Sequence, residues 1–329
     1  MTPARTVMFA LALALTVAAT AVSGCGEGAS GSASQGEAYR IGITQFATHP
    51  ALDAAVRGFR EGLAEKGIRG VVYDAQNADG DIATAVSIAQ KFGYEDLDLV
   101  FAVATPATQA VTRTVKTTPV VFAAVTDPLG AGIVSDLVAP TGNVTGVSNA
   151  QPVKPILQLV ERLKPGARRI GLVYNPGEAN SDFTARRVDA AAAQLGLTVV
   201  KAPVSTSAEV QAAAQSLVGR VDFIAVISDN TAVSALEAVV KVCEENAIPL
   251  LAGDTDSVRR GAAIGYAFDY EDLGRRAGHQ AAAILTGTPV KEIPVEFSRD
   301  LKLSVNQRAA EKQGLIIPAD VLAEATIRL

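Results

Sequence analysis

The sequence predicts an α/β fold of two doubly wound parallel-sheet lobes with a ligand cleft between them. Three observations carry this prediction. Short, nearly continuous apolar runs alternate with longer amphipathic stretches, the pattern of parallel strands covered by helices on both faces. The alternation occurs twice in succession. A tail then adds further strand and helix, enough chain to cross back and complete both lobes. Right-handed crossovers turn such series into doubly wound sheets.

Each element follows from its local chemistry. The first series starts with an apolar strand over 40–45 and a helix over 51–66 that stops at Gly67. A strand at 71–73, a helix over 79–91, a strand over 97–102, a helix over 106–115 and a strand over 119–124 follow. After a loop and the segment Asn143-Val-Thr-Gly-Val-Ser148, the second series begins. It reads as a helix over 155–163, a strand over 169–174, a helix over 180–195, a strand over 198–201 and a helix over 208–217. A strand over 223–227, a helix over 231–246 and a strand over 249–251 complete it. From Ala263 the tail contains a strand, a helix over 273–285, Gly287 and Pro289, then more strand. The expected lobes are therefore 39–148 with about 266–290, and 149–265 with about 291–329. Crossovers are expected near 148–152, at Gly265 and over 289–294.

The first 24 residues have the form of a secretory signal peptide. Arg5 precedes an apolar run over 7–22, and small residues follow. That run is short for a membrane span. Cys25 directly after Val22-Ser-Gly24 looks like the lipobox of bacterial lipoproteins, which implies a lipid on Cys25, anchorage to the cell membrane and an extracytoplasmic body. The stretch to residue 38 is polar and glycine- and serine-rich, a tether with little to bury.

Composition excludes several functions. Apolar residues make up 49% of the 329, ample for two cores. The chain carries 29 basic and 34 acidic residues; removal of the signal peptide takes one Arg and no acid, leaving 28 against 34, a net −6. Nucleic acid is excluded as a partner, since it needs a basic face. Two cysteines, Cys25 and Cys243, make no disulfide framework, and with two histidines no metal cluster is expected. No cofactor is implied. Gly-x-Ser-x-Gly, a glycine-rich dinucleotide turn after the first strand, a phosphate loop and a cysteine–histidine pair are all missing, so the reading is a binding protein and not an enzyme.

Doubly wound sheets bind ligands beyond the carboxyl ends of their strands. The residues there are Gln45, Phe46, Thr48 and His49; Thr105 and Pro106; Thr126 and Asp127; Asn175, Glu178, Asn180 and Ser181; Ser228, Asp229 and Asn230; and Asp254. Hydroxyls, amides, carboxylates and helix starts dominate, and Arg and Lys are scarce. A ligand with one cationic and one anionic end, such as a free amino acid, fits this set. Phe46, Tyr174, Tyr266 or Phe268 would cover an apolar side chain. Each polar residue taken singly is also an ordinary helix cap, and His49-Pro50 reads first as a structural turn with a packed imidazole.

Several words of the sequence resemble one family: Thr44-Gln45 with His49-Pro50-Ala51-Leu52-Asp53, Asp74-Ala-Gln76-Asn77, Ala104-Thr105-Pro106, Val125-Thr126-Asp127-Pro128, Asn143-Val-Thr-Gly146, and Tyr174-Asn175 with Glu178, Asn180 and Ser181. The chain resembles the ABC-transporter substrate-binding lipoproteins of the TrpX-like group, which share a type I periplasmic-binding-protein fold. The resemblance implies capture of a small solute by cleft closure and its delivery to separate permease and ATPase chains. The cargo is best read as an amino acid, aromatic or branched, and the receptor as a monomer. Position by position it implies contacts at Gln45, Thr105, Asp127, Asn175, Ser181 and Asp254. A sugar or nucleoside receptor on the same fold, and a sensory receptor without transport, stay open.

Overall fold

The computed structural model describes residues 38–298 and 300–329; the signal peptide, Cys25 and the tether lie outside them. The first lobe is built from β1 (Arg40–Gln45), α1 (Pro50–Glu65), β2 (Val72–Asn77), α2 (Ile82–Tyr94), β3 (Leu99–Val103), α3 (Thr105–Thr114), β4 (Val120–Val125) and β5 (Val144–Ser148). The second contains α4 (Val153–Leu163), β6 (Arg169–Tyr174), α5 (Ala179–Leu195), β7 (Thr198–Pro203), α6 (Val210–Gln215), β8 (Phe223–Val226), α7 (Asn230–Ser234), α8 (Leu236–Glu245), β9 (Leu250–Ala252), α9 (Thr255–Arg259) and β10 (Ile264–Ala267). The tail adds α10 (Tyr270–Leu285), β11 (Glu296–Phe297), β12 (Lys302–Val305), α11 (Gln307–Lys312), α12 (Ala319–Glu324) and β13 (Ile327–Arg328).

The strand order is β11-β5-β4-β3-β1-β2 in one sheet and β13-β12-β10-β9-β8-β6-β7 in the other. The first is parallel throughout, and in the second only β10–β12 pairs antiparallel. The core of each sheet repeats one winding, with the order reversing at β1/β3 in the first lobe and at β6/β8 in the second. The loops that leave these strands flank a crevice, so the winding itself brings Phe46, His49, Asn175, Glu178, Asn180 and Ser228–Asn230 to the cleft.

The chain passes between lobes three times, and two crossings lie later than expected. β10 runs to Ala267 in the second sheet, so the second crossing falls at Phe268 and Asp269 instead of Gly265. Glu296 pairs with Val147 and Phe297 with Ser148, which keeps the chain in the first sheet past Pro294. The third crossing therefore follows Phe297. The prolines at 289 and 294 flank a 3-10 turn, Val290–Glu292, that feeds this two-residue edge strand.

Other boundaries also moved for local reasons. The helix expected from residue 79 begins at Ile82, because Asp79 and Gly80 adopt positive φ and the Asp81 side chain caps Thr84 N at 2.6 Å. The helix expected over 231–246 is two helices broken at Ala235.

Aromatic and aliphatic side chains fill both lobes. Phe59 and Phe101 stack in the first core with centroids 3.8 Å apart. In the second lobe separate clusters, one around Ile156 and Val188 and one around Leu217 and Leu236, cover the two faces of the sheet. α1 and α10 meet through glycines. A Cβ on Gly58 would lie 1.9 Å from the Glu271 carbonyl oxygen, and one on Gly274 would lie 1.9 Å from that of Ala55. The backbones touch only because these positions lack side chains. The two helices thereby hold their N-terminal residues, His49 and Tyr270, at the cleft.

Candidate ligand-binding cleft

Two spaces lie between the lobes, on either side of α7. The inner one is lined by His49, Leu52, Ala124 and Thr126 of the first lobe, by Asn149 and Tyr270 at the crossings, and by Asn180, Ser228, Asp229, Asn230, Val233 and Asp254 of the second. It measures about 20 Å³, roughly the room one water needs. The outer groove, about 540 Å³, is edged by Phe46 and 79–82 on one side and by 175–178, 205–207, Thr231 and Ser234 on the other.

Of the residues expected at the site, Asn180, Asp229 and Asp254 line the inner cavity, and Phe46, Asn175 and Glu178 line the outer groove. Gln45, Thr105, Pro106, Asp127 and Ser181 line neither. Their polar groups support the walls instead. Gln45 Nε2 donates to Asp53 Oδ1 at 2.8 Å, and Thr105 Oγ1 accepts from Thr126 N at 3.4 Å. Ser181 Oγ donates to Asp229 Oδ2 at 2.5 Å. Asp127 Oδ1 accepts from Gly130 N at 3.0 Å and closes a turn. Among the aromatic residues considered for cover, Tyr174 packs against the second core, Tyr266 faces a different cavity with Pro155 and Arg162, and Phe268 is buried in the first core. Phe46 alone of the four borders the cleft.

Glu178 organises the second lobe's wall. Its buried carboxylate accepts from Asn180 Nδ2 at 3.0 Å, from Asn230 N and Nδ2 at 3.2 and 2.5 Å, and from Thr231 N and Oγ1 at 2.9 and 2.7 Å. Asp229 caps α7 through Ala232 N at 2.6 Å and also accepts from Asn175 N. Burial, and then the nearby Glu178 charge, push its pKa up to about 7. Asp254 caps α9, accepting from Ser257 N and Oγ, each at 2.6 Å.

The opposite wall carries groups whose roles were not foreseen. Thr126 Oγ1 donates to Asn149 Oδ1 at 3.0 Å, and Asn149 Nδ2 donates to Tyr270 Oη at 2.8 Å. This chain of bonds leaves the Tyr270 hydroxyl proton free to donate. Burial first, and the Asp254 charge second, raise the Tyr270 pKa and keep that proton in place. Tyr270 escaped notice because the helix was expected to start at Leu273. His49 Nε2 lies 3.5 Å from Asn230 Oδ1, a side-chain contact that spans the lobes. Burial lowers the His49 pKa, against the opposing pull of Asp254.

The backbone is strained at the cleft. Ala104, Ala124 and Ser228 have φ of 76°, 59° and 51°, each at or near the carboxyl end of a strand. Such conformations cost about 1–3 kcal/mol each and concentrate at sites that must hold a fixed geometry.

The walls present carboxylates, amides and hydroxyls with no Arg or Lys, which suits a cationic group. α1, α5 and α10 begin at or beside the lining residues His49, Glu178 and Tyr270, and helix starts favour an anionic group. Among the described residues no group of His, Cys, Asp and Glu is placed to hold a metal.

Comparison with known proteins places this architecture. The model of the ABC transporter substrate binding protein family matches residues 40–328. The chain belongs to that family. Its members bind small solutes outside the cytoplasm and work with ABC transporter components; they are not enzymes, and their fold is of the type I periplasmic-binding-protein kind. A tyrosine-binding protein of Clostridioides difficile (strain R20291) is 40% identical over 270 residues, 81% of this chain and 78% of that protein. An ABC domain from Streptococcus pneumonia in complex with L-Trp is 34% identical with a TM-score of 0.86, over 89% of this chain and all of that one. The ligand-free, open structure of a Clostridium difficile substrate-binding protein with adhesive properties is 36% identical, covering 88% and 99%, yet its TM-score is 0.67. At near-equal identity, the chain superposes more closely on the L-Trp complex than on that open, ligand-free structure.

Proposed function

We propose that this protein is the receptor of an ABC importer and captures a free aromatic amino acid, L-tyrosine or L-tryptophan, between its lobes. One observation carries the reading. The inner cavity of a family member 40% identical to a tyrosine-binding protein is walled by Asn180, Asp229, Asp254 and Asn149, with no Arg or Lys. The carboxylates attract the ligand's ammonium, and the Tyr270 hydroxyl with the converging helix starts receives its carboxylate. Phe46 in the outer groove meets apolar surface. The ligand exceeds the inner space of the closed lobes, so it enters with the lobes apart and favours their closure around it. The loaded monomer then delivers its cargo to a permease served by a separate ATPase. The signal-like start and the Val22-Ser-Gly-Cys25 sequence support a lipid on Cys25, with the polar stretch after it as tether.

A thermal-shift panel of amino acids, sugars and nucleosides tests this. A ligand at 100 times its Kd stabilises by about 2.7 kcal/mol. The proposal expects shifts with L-tyrosine or L-tryptophan; a shift confined to sugars or nucleosides contradicts it.

A further inference from the structure

The atoms of the inner cavity specify how the ligand's head group is read. Asn180 Nδ2 donates to Glu178 Oε2 at 3.0 Å and to the Ser228 carbonyl at 2.8 Å. Both are acceptors, so the amide orientation is fixed and Oδ1 is the atom left over. Asn180 is 4% exposed, and Oδ1 has no partner among the described residues.

His49 repeats this situation from the other lobe. Asn230 Nδ2 is engaged by Glu178, so Asn230 Oδ1 faces the ring. A carbonyl oxygen only accepts, which puts the ring proton on Nε2. In the neutral ring that burial favours, Nδ1 is then a bare lone pair. His49 is 6% exposed and its Nδ1 is also without a partner. Two buried acceptors, one from each lobe, thus belong to side chains lining one cavity, and the Asp254 carboxylate shares its wall.

The geometry points to His49 Nδ1 and Asn180 Oδ1 as an acceptor pair that spans the cleft and binds the ligand's primary ammonium, with Asp254 supplying the countercharge. An ammonium offers three donors and no acceptor, the complement of this pair. A ligand lacking the amine leaves both acceptors buried and unsatisfied, which a site built on hydrogen bonds penalises heavily. Because the acceptors come from opposite lobes, the ammonium itself bridges them and favours closure. This inference rests on the amino-acid reading above and makes His49 a specificity-determining residue for it.

Calorimetry with matched ligands tests the pair: L-tyrosine against 3-(4-hydroxyphenyl)propionate, and L-tryptophan against indole-3-propionate. The wild type is expected to prefer the amine-bearing member. His49→Leu is expected to shrink that preference roughly 10- to 100-fold, by weakening the amino acid and sparing the desamino acid. His49→Asn, whose carbonyl oxygen falls near the Nδ1 position, retains most of the preference. Asn180→Leu reads the same pair from the other lobe should His49→Leu not fold. Equal weakening of both ligands by His49→Leu, or a wild type indifferent to the amine, overturns the pair and leaves the receptor reading standing. A wild type that binds neither amino acid overturns both.

Discussion

The walls of the cleft are built from carboxylates that first serve the fold. Asp229 caps α7, accepts from Ser181 and Asn175, and is held up to about 7 by burial and then by Glu178. A carboxyl whose folded pKa exceeds its unfolded value of 3.8 binds more protons in the folded state between those values. Its contribution to stability is full below about pH 4 and is lost as pH rises to about 7. Buried His49, with a lowered pKa, acts in the opposite direction below pH 6.5. The decisive quantity is therefore the stability of wild type minus that of Asp229→Asn. Denaturant titrations should show this difference falling from pH 4 to pH 7 and level above it. Asp222 follows the other sign. Burial opposes its ionisation, but Arg169 and the Arg168 and Arg169 amides outweigh that and hold it at about 2, so its contribution is lost as pH falls from 3.8 toward 2. Asp254 separates capping from binding. Asp254→Asn keeps an oxygen for Ser257 N but removes the charge. We expect near-wild-type melting and at least tenfold weaker amino-acid binding in calorimetry, whereas Asp254→Ala also loses about 1 kcal/mol of helix cap.

Among the elements, α1 and α10 matter most because their glycine contact fixes where His49 and Tyr270 sit. Gly274→Ala places a methyl against the Ala55 carbonyl. Overpacking of this kind costs about 1–3 kcal/mol or more, and denaturant unfolding should show it together with weaker ligand binding. Asp127→Ala is expected to leave affinity within about threefold, since its carboxylate closes a turn with Gly130 outside both spaces. The doubly wound alternation was legible in the sequence because apolar runs such as Leu99–Val103 and amphipathic runs such as Val153–Leu163 differ in period. The strand-tip rule also brought Asn180, Asp229 and Asp254 to the cleft. The two-residue strand β11 left no periodic signal, so the last crossing was set too early. The Asn149–Tyr270 bond spans 121 residues and the Thr126–Asn149 link 23, pairings that local pattern does not carry.

At the level of the whole molecule, the two lobes share one winding and are joined by three crossings, an arrangement suited to hinge closure. The chain superposes more closely on a relative bound to L-Trp, with a TM-score of 0.86, than on an open, ligand-free relative of similar identity, with one of 0.67. Small-angle scattering should accordingly show the radius of gyration falling when L-tyrosine or L-tryptophan is added, and no change with a sugar. The central claim is that an aromatic amino acid binds between the lobes, against walls to which both contribute. Isothermal titration of the purified protein with L-tyrosine and L-tryptophan, repeated on Asp254→Asn, tests it most directly. The account predicts one-to-one binding of at least one of the two amino acids and a loss of tenfold or more in the variant. Absence of binding to both, or wild-type affinity in Asp254→Asn, would contradict it.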